Sequence, residues 1–386
     1  MRDKHGRKYR GILARIMLGM MISLLGLMLF PQEAKASQND TPDMDYTDIQ
    51  DVINDIMDSG NAFNFGDYVG KLINGEEAFS IAGIGNQLIS SVKGEVKANI
   101  ATLGRLISIA LIAAIFTNIS MAFKNNHVAE TGYYVTYLLM FGLLISTFIN
   151  ASMIAASVIG SILEFMKALV PAYFLSVGFC TGSVTSMVYY EAALMMITLV
   201  DLIIVKIIIP MINFYLIITL ANNLSKEDML SRLAGLFSTT ISWMLKSLLA
   251  AVIGFHTIQG LIVPVADKVK RSTLLKASEA IPGIGNTFGS VAETVLGAGV
   301  LLKNAIGVTG LIVILVISAV PFLKLFIITC IYKIGSASLQ PVSDKRIIEC
   351  IGASAKSAGM LLQAVFVAAV LFLISITIVA VTTGGA

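Results

Sequence analysis

The stretch AIGVTGLIVILVISAVPFLKLFIITCIY, residues 305–332, is apolar apart from Lys324 and a few small polar side chains. A helix needs about 20 predominantly apolar residues to cross the hydrocarbon core of a bilayer. This stretch is longer than that, so it predicts a membrane-spanning helix. Residues 360–381 are equally apolar and predict a second membrane-spanning helix near the C-terminus.

The composition of the whole chain supports the same interpretation. Of its 386 residues, 56% are hydrophobic and 13% are charged, whereas about 25% of the residues of a soluble domain are charged. We expect an all-α polytopic membrane protein with six to eight transmembrane helices and additional amphipathic surface or re-entrant helices. The remaining candidate spans are residues 106–123, 133–156, 157–180 (a weaker candidate, because of Glu164, Lys167 and Pro171), 187–209 with 210–224, and 233–265. Residues 187–209 and 210–224 are either two tilted helices or one helix broken at Pro210.

Residues 1–36 have the order of a signal peptide. A basic head is followed by the apolar run IMLGMMISLLGLMLF and then by Ala34-Lys35-Ala36, which offers small residues for cleavage. The alternative is an uncleaved signal anchor. In both cases the positive flank stays inside, so residues 37–100 begin outside the cytoplasm. The basic excess belongs to this segment, since the rest of the chain has 20 basic and 22 acidic residues; we expect no nucleic-acid partner.

Residues 37–100 form an acidic extracytoplasmic segment with amphipathic helices, and residues 101–386 form the membrane domain, with an amphipathic insert at 266–304. In DIQDVINDIMD, Ile49, Val52, Ile53 and Ile56 recur at helical spacing, opposite a row of carboxylates at Asp48, Asp51, Asp55 and Asp58. Two interpretations remain open: a solvated helix lying on the rest of the protein, or a helix that docks a partner outside the membrane.

Charged residues inside spans are costly and are candidates for function. The candidates here are Glu191, Asp201, Lys206 and Lys246. Asp201 and Lys206 are five residues apart, which does not place them on one face of an α-helix. The alternative is that Glu191, Lys206 and Lys324 lie near helix ends and reach the membrane interface.

Internal repetition suggests a duplicated helical unit. The segment VPFLKLFIIT (320–329) echoes IPMINFYLIIT (209–219), and the tetrapeptide GIGN begins at residues 83 and 283. The glycines of the second copy do not match a dinucleotide loop, whose third glycine would come one position earlier. Gly285 and Gly289 have instead the GxxxG spacing of close helix packing, at the entry to an amphipathic helix.

Orientation is open. The segment 124–132, KNNHVAETG, would be cytoplasmic if the first span runs inward, and the segment 267–276, DKVKRSTLLK, favours the cytoplasm by its charge.

Catalysis is not expected, because Walker A, HExxH and CxxC motifs are all missing and the chain has only three His and three Cys. We expect no enzyme activity, cofactor or metal, a structural role for His256 near a helix end, and cysteines that only pack.

Two longer segments carry a family resemblance. NFGDYVGKLINGE (64–76) and PVADKVKRSTLLKASEAIPGIGNTFGSVAETVLGAG (264–299) are similar to the stage III sporulation protein AE family of endospore-forming bacteria. The resemblance implies a protein of the mother-cell membrane around the forespore. There it would join other stage III sporulation membrane proteins and a forespore-side partner in a channel-like complex needed for late forespore development. The alternative function is a permease that moves a small solute across that membrane.

Overall fold

The computed structural model describes residues 44–56, 63–75, 93–94, 96–97, 100–112, 114–115, 126–181, 183–224, 229–279, 285–341 and 343–382. The regular structure in these ranges is helical. The helices are α1 (Thr47–Ile56), α2 (Phe65–Ile73), α3 (Ile100–Ile112), α4 (Asn126–Thr181), α5 (Ser183–Ile203), α6 (Ile209–Leu224), α7 (Ser231–Glu279), α8 (Gly285–Leu339) and α9 (Lys345–Thr382). A π-helical segment, Ile204–Ile208, joins α5 to α6 without interruption.

Among the described residues, five helices are long and apolar enough to cross a membrane, which confirms an all-α polytopic membrane protein. The five segments are Tyr134–Phe179, Tyr190–Leu224, Ser231–Ile258, Gly297–Leu339 and Lys345–Ala380. The predicted span at 106–123 is described only in its first part, within the apolar helix α3. The signal peptide at 1–36 lies outside the described residues.

The helices continue through Pro171 and through Pro210. Residues 133–156 and 157–180, predicted as separate segments, form one helix of 56 residues that continues through Pro171. Pro171 lies on the exposed face of α4, so its ring does not enter the packed interior. Before Pro210 the helix widens, and the Ile209 N–H donates to the Ile204 carbonyl five residues back. The wider turn accommodates a residue that lacks an N–H and would otherwise clash with the preceding turn.

The long helices form a bundle with α9 at its centre. Helix α9 packs most extensively against α8 and also contacts α4, α6 and α7, while α5 packs mainly on α4. The α8–α9 pair is antiparallel, since Ser336 near the end of α8 donates to the Ile348 carbonyl near the start of α9. Helix α4 runs parallel to α9, because Tyr137 contacts Cys350 at one end and Tyr173 contacts the Ile376 carbonyl at the other.

The α6–α7 and α8–α9 hairpins turn at the same end of the bundle. Tyr137 at the beginning of α4 contacts both Leu220, near the end of α6, and Cys350, near the start of α9. Two hairpins side by side with the same direction are the arrangement expected of a direct internal repeat. We refer to this end, with both turns, as the turn end.

The position of the two turns restricts the orientation. Residues 126–132 are the first residues of α4, at the turn end, whereas α7 starts at the turn end and carries residues 267–276 at its opposite end. A bundle that crosses the bilayer once cannot place both segments in the cytoplasm, so at most one of the two orientation predictions holds. In the proposed insert at 266–304, residues 266–279 belong to the end of α7 and residues 285–304 to the start of α8. The side chains of residues 259–296 lie outside what is described.

Candidate functional site

The N-terminal hairpin of α1 and α2 combines a packed apolar face with an acidic outer face. Ile49 and Ile53 of α1 and Phe65 and Val69 of α2 are buried. Their spacing of four residues places each pair on one side of its helix, as an amphipathic pattern requires. The carboxylates Asp48, Asp51 and Asp55 lie on the other side of α1 and are exposed. Asp58 lies outside the described residues.

Local hydrogen bonds fix the two helices of the hairpin. The Asp45 carboxylate accepts from the backbone N–H and the hydroxyl of Thr47 at the start of α1, and these bonds hold the pKa of Asp45 below its usual range. Asn64 caps α2 by accepting from the Asp67 N–H at 2.9 Å. Both are N-terminal arrangements in which a side-chain oxygen satisfies a helix N–H that has no intrahelical acceptor.

Gln50 connects α1 to the chain that leads into α2. Its Nε2 donates to the Phe63 carbonyl at 2.8 Å, and its Oε1 accepts from the Phe65 N–H at 2.8 Å. One amide side chain thus satisfies a backbone acceptor and a backbone donor of the neighbouring segment. This pair of bonds sets the distance between α1 and α2 and makes the hairpin one unit.

The hairpin docks on the side of the membrane bundle. Helix α1 packs against α4 and helix α2 packs against α8. The Phe65 ring lies 6.5 Å from the ring of Phe165, which is about two-thirds of the way along α4. The acidic helix therefore lies on the rest of the protein and also presents a carboxylate surface, so the structure is compatible with both interpretations of the sequence.

The charged positions inside the predicted spans face outward. Glu191, Lys206 and Lys246 are exposed, and Asp201 is half-buried. Glu164 and Lys167 on α4 are exposed as well. None of these six side chains takes part in an ion pair or side-chain hydrogen bond within the part of the chain that the structure describes. Lys206 and Lys324 lie well inside continuous helices, so the alternative that they lie near helix ends is wrong for these two residues. Glu191 is the second residue of the apolar span Tyr190–Leu224, and its approach to the membrane interface stays a prediction.

Each exposed charge would be costly if it faced lipid. A charged side chain at the centre of a membrane helix costs about 2.5–3.5 kcal/mol on insertion scales. The total stability of a folded protein is of the order of 5–15 kcal/mol. Several charges at similar depth on lipid-facing surfaces would therefore cost as much free energy as folding provides, unless polar groups outside the bundle face them.

A buried polar cluster closes the turn end of the bundle. The Tyr137 hydroxyl donates to the Leu220 carbonyl and lies 3.0 Å from Cys350 Sγ. Asn223 Nδ2 approaches the same sulfur at 3.4 Å. Cys350 is fully buried and Cys330 half-buried, while the side chain of Cys180 is not described. The cluster joins α4, α6 and α9 where their backbones leave the apolar interior.

Lys303 is a buried cation that the sequence reasoning missed. Its side chain is completely buried, and Nζ donates to the Ala380 carbonyl at 3.1 Å. Ala380 is in the last turn of α9, where carbonyls lack intrahelical donors and the helix dipole favours a positive charge. The span predicted from hydropathy began at residue 305, which left Lys303 outside the set of intramembrane charges. Only the packing of α8 on α9 places it in the interior.

His256 is buried inside α7, so the expectation of a position near a helix end is wrong. Its Nε2 lies 2.8 Å from the hydroxyl of Ser375 on α9. Two adjoining small cavities, each about 20 Å³, share His256, Ser375, Met166 and Ala193 in their lining. A cavity of that size holds about one water molecule. Solute-binding pockets have volumes of roughly 300–1,000 Å³, so neither cavity fits a solute.

Gly285 is the first residue of α8, so a helix does begin within the second GIGN segment. The surroundings of Gly285 and Gly289 lie among the residues whose packing is not described. The first GIGN copy falls within residues 76–92, which are also outside the described ranges. Helix packing through these glycines stays a prediction.

Comparison with known families decides the identity of the chain. The profile of the family described as stage III sporulation protein AE matches residues 63–383. The chain belongs to the stage III sporulation protein AE family. Its match includes α2 and all of the long helices. A curated member, stage III sporulation protein AE of Bacillus subtilis (strain 168), is 27% identical over 315 residues, which cover 81% of this chain and 79% of that protein. No solved structure matches the chain significantly.

Membership of the stage III sporulation protein AE family gives the chain a role in sporulation. The five apolar spans make this family member a membrane protein. The family match begins at residue 63, so it includes α2 and excludes α1 with its acidic face.

Proposed function

We propose that this protein is a non-catalytic membrane component of a channel-like complex that links the mother cell and the forespore. Its place would be the mother-cell membrane, with residues 37–100 on the extracytoplasmic side, and its partners would be other stage III sporulation membrane proteins and a forespore-side protein. The observation that carries the proposal is the α1–α2 hairpin, which is fixed to the bundle by one face and exposes carboxylates on the other. Family membership supports the sporulation context.

The acidic face of α1 suits recognition of a basic partner segment. Asp48, Asp51 and Asp55 are exposed and take part in no ion pair or side-chain hydrogen bond among the described residues. Repulsion among three carboxylates at successive turns destabilises the isolated helix, so a cationic partner would relieve a cost already present. Charge complementarity of this kind increases association rate and selects partners by sign.

The permease alternative has less support. A permease needs a polar site near the middle of its helices that is open to solute. Asp201, Lys206 and Lys246 lie on outward surfaces and do not line the small cavities of the bundle. Single neutral substitutions at these positions test the alternative, because a permease would lose function while its assembly stays normal.

The deciding experiment is affinity purification of the full-length protein from sporulating cells, with identification of the bound proteins. We expect the Asp48→Asn, Asp51→Asn, Asp55→Asn triple variant to lose bound sporulation proteins and forespore gene expression. The matched control replaces the same three residues with Glu, which keeps the charge and the helix. Full retention of the partners by the Asn variant would contradict the docking role of α1.

The side of the membrane is tested separately. Lys71 is the only basic residue between Lys35 and Lys93, so trypsin has one cleavage site in that interval. In protoplasts of vegetative cells that express the Phe65→Ala variant, whose hairpin is expected to be undocked, cleavage at Lys71 without lysis is expected if residues 37–100 are extracytoplasmic. Cleavage only after lysis would contradict this orientation.

A further inference from the structure

We propose that a second copy of this chain packs against the exposed charged stripes of α4 and α7, with Glu164 of one copy opposite Lys246 of the next. This inference does not depend on the proposed channel complex. It rests on the position, the depth and the sign of charged side chains that form no ion pair within the described ranges.

The outer stripe of α7 is an apolar face that contains one lysine, Lys246. Its outward residues recur every three or four positions, as one face of a helix requires, and they include Leu236, Trp243, Lys246 and Ile253. Trp243 is 68% exposed and Leu236 is 60% exposed. Lys246 is therefore a single cation in the middle of an apolar face, far from either end of a helix of 49 residues.

The outer stripe of α4 is an apolar face that contains Glu164 and Lys167. It includes Met153, Glu164, Lys167 and Leu175, of which Met153 is 56% and Leu175 is 60% exposed. As on α7, charges lie within an apolar face. Helices α5 and α6 lie between α4 and α7 on the outside of the bundle, through the contacts of α5 with α4 and of α6 with α7. The two stripes therefore belong to different sides of the molecule.

The charges share a depth. Met166 of α4, Val200 of α5 and Val252 of α7 line the same small cavity, so they mark one level of the bundle. Lys246 is six residues from Val252 toward the turn end, about 9 Å along the axis, and Glu164 is two residues from Met166 toward the same end, about 3 Å. The difference of about 6 Å is within the reach of an extended lysine side chain on a parallel neighbour.

The partner must carry complementary charges at this depth. A second copy in the same membrane orientation does so without further assumption, because it presents Glu164 and Lys246 at the levels of the first. Lys206 is also six residues from Val200 toward the turn end, so it adds a second cation at the level of Lys246. Contact between two different sides is heterologous, and repetition of such a contact gives a closed ring or an open chain.

The test uses the full-length protein in lipid nanodiscs or mild detergent, with mass photometry to count copies. We expect wild type to self-associate. Glu164→Lys and Lys246→Glu should each weaken self-association about tenfold or more, a change of about 1.4 kcal/mol or more. The double variant should regain it because the signs are exchanged. Lys333→Glu, an exposed position on α8 outside both stripes, is the control and should associate like wild type.

Mixing the two single variants separates this model from nonspecific association. Each variant alone places like charges at the 164–246 contact, whereas alternation of the two variants pairs a lysine with a glutamate at every contact. The mixture should therefore regain the self-association of wild type, although each variant alone stays weakened. A wild type that stays monomeric in nanodiscs overturns the proposal. It is also overturned if the single variants associate normally and lose a different co-purifying protein instead, since the stripes would then bind that protein.

Discussion

The ring of Phe65 packs against the ring of Phe165 with a centroid separation of 6.5 Å, and this contact fixes the acidic hairpin about two-thirds of the way along α4. Phe65 is fully buried and also contacts Tyr46 at 5.5 Å. The consequence for function is that α1 cannot move as a tethered arm. Its carboxylates are held at one height on the membrane bundle.

Replacement of Phe65 by Ala should undock the hairpin. Phe→Ala substitutions in cores cost about 3–5 kcal/mol through lost burial and a residual cavity. Trypsin cleavage at Lys71 reports undocking, because that residue is in α2 and the protease needs an unfolded segment. We expect cleavage to be at least about 100-fold faster in Phe65→Ala than in wild type. Phe65→Leu, which keeps most of the apolar volume, is the control, and equal cleavage of Phe65→Ala and wild type would contradict this role.

Gln50 should contribute more to the stability of the α1–α2 hairpin than its exposed neighbour Asn54. Gln50→Ala removes both the donor to the Phe63 carbonyl and the acceptor of the Phe65 N–H, and loss of partners for buried groups costs about 1–3 kcal/mol each. Asn54 only accepts from Gln50 Nε2. Hydrogen–deuterium exchange of the peptide containing Phe65 should accelerate in Gln50→Ala and stay near wild type in Asn54→Ala. Equal rates in the two variants would show that Gln50 does not fix the hairpin.

Tyr68 gives a pH dependence with a defined sign. Burial raises its pKa to about 12, whereas an unperturbed phenol has a pKa of about 10. The folded hairpin thus keeps the proton to higher pH than the unfolded chain, so docking is unaffected below about pH 10 and weakens between about pH 10 and pH 12. The phenolate absorbance of wild type minus that of Tyr68→Phe should titrate near pH 12. A midpoint near the ordinary phenol value would mean that the side chain is solvated.

Two glycines in helices should respond oppositely to the same substitution. A Cβ at Gly310 would lie 2.6 Å from Leu169 Cδ2, in the fully packed contact between α8 and α4, whereas a Cβ at Gly235 of α7 meets nothing within 4 Å. Gly310→Ala should lower stability by about 1–3 kcal/mol through overpacking. Gly235→Ala should raise it by about 0.5–1 kcal/mol, because Ala loses less entropy in a helix. Thermal unfolding in detergent measures both, and a stabilising Gly310→Ala would refute the close contact.

Some features of this fold could be predicted from residues alone. Residues 305–332 and 360–381 lie within α8 and α9 because uninterrupted apolar length is a local property. The row of Ile49, Val52, Ile53 and Ile56 predicted α1 because periodicity is local as well. The continuation of the helices through Pro171 and Pro210 could not be predicted, because it depends on an exposed proline ring in α4 and on the π-helical turn before Pro210.

Of the candidate site, the sequence shows the residue types but not their spatial arrangement. Aspartates on α1 and the charges at Glu191, Asp201, Lys206 and Lys246 are visible in the sequence by their type. Their outward direction, and the similar depth of Glu164, Lys206 and Lys246, depend on which apolar helices are neighbours, and apolar helices resemble one another in composition. Gln50 and Lys303 could not be recognised from the sequence, because each donates to a backbone carbonyl, a group that every residue has.

Replacement of Lys303 by Met should have two opposing effects on stability. Lys303→Met keeps length and apolar contact and removes the desolvation cost of a buried ammonium, which by itself favours the folded state. It also removes the donor to the Ala380 carbonyl, and no water replaces a donor in an apolar interior. The lower desolvation cost stabilises the whole folded protein, whereas the lost hydrogen bond weakens only the last turn of α9. We therefore expect little change in the unfolding temperature and local fraying at the end of α9.

Local fraying is measured by the rate at which a thiol reagent labels a cysteine introduced at Val379, which is buried in the last turns of α9. The labelling rate should rise about fivefold or more in Lys303→Met, which corresponds to about 1 kcal/mol of local stability, the net worth of one hydrogen bond. Lys303→Arg keeps a cationic donor and should label more slowly than Lys303→Met. Lys333→Met removes an exposed lysine from the same helix and should label like wild type. Equal labelling of Lys303→Met and wild type would show that the ammonium does not hold the end of α9, and its burial would then be a matter of packing alone.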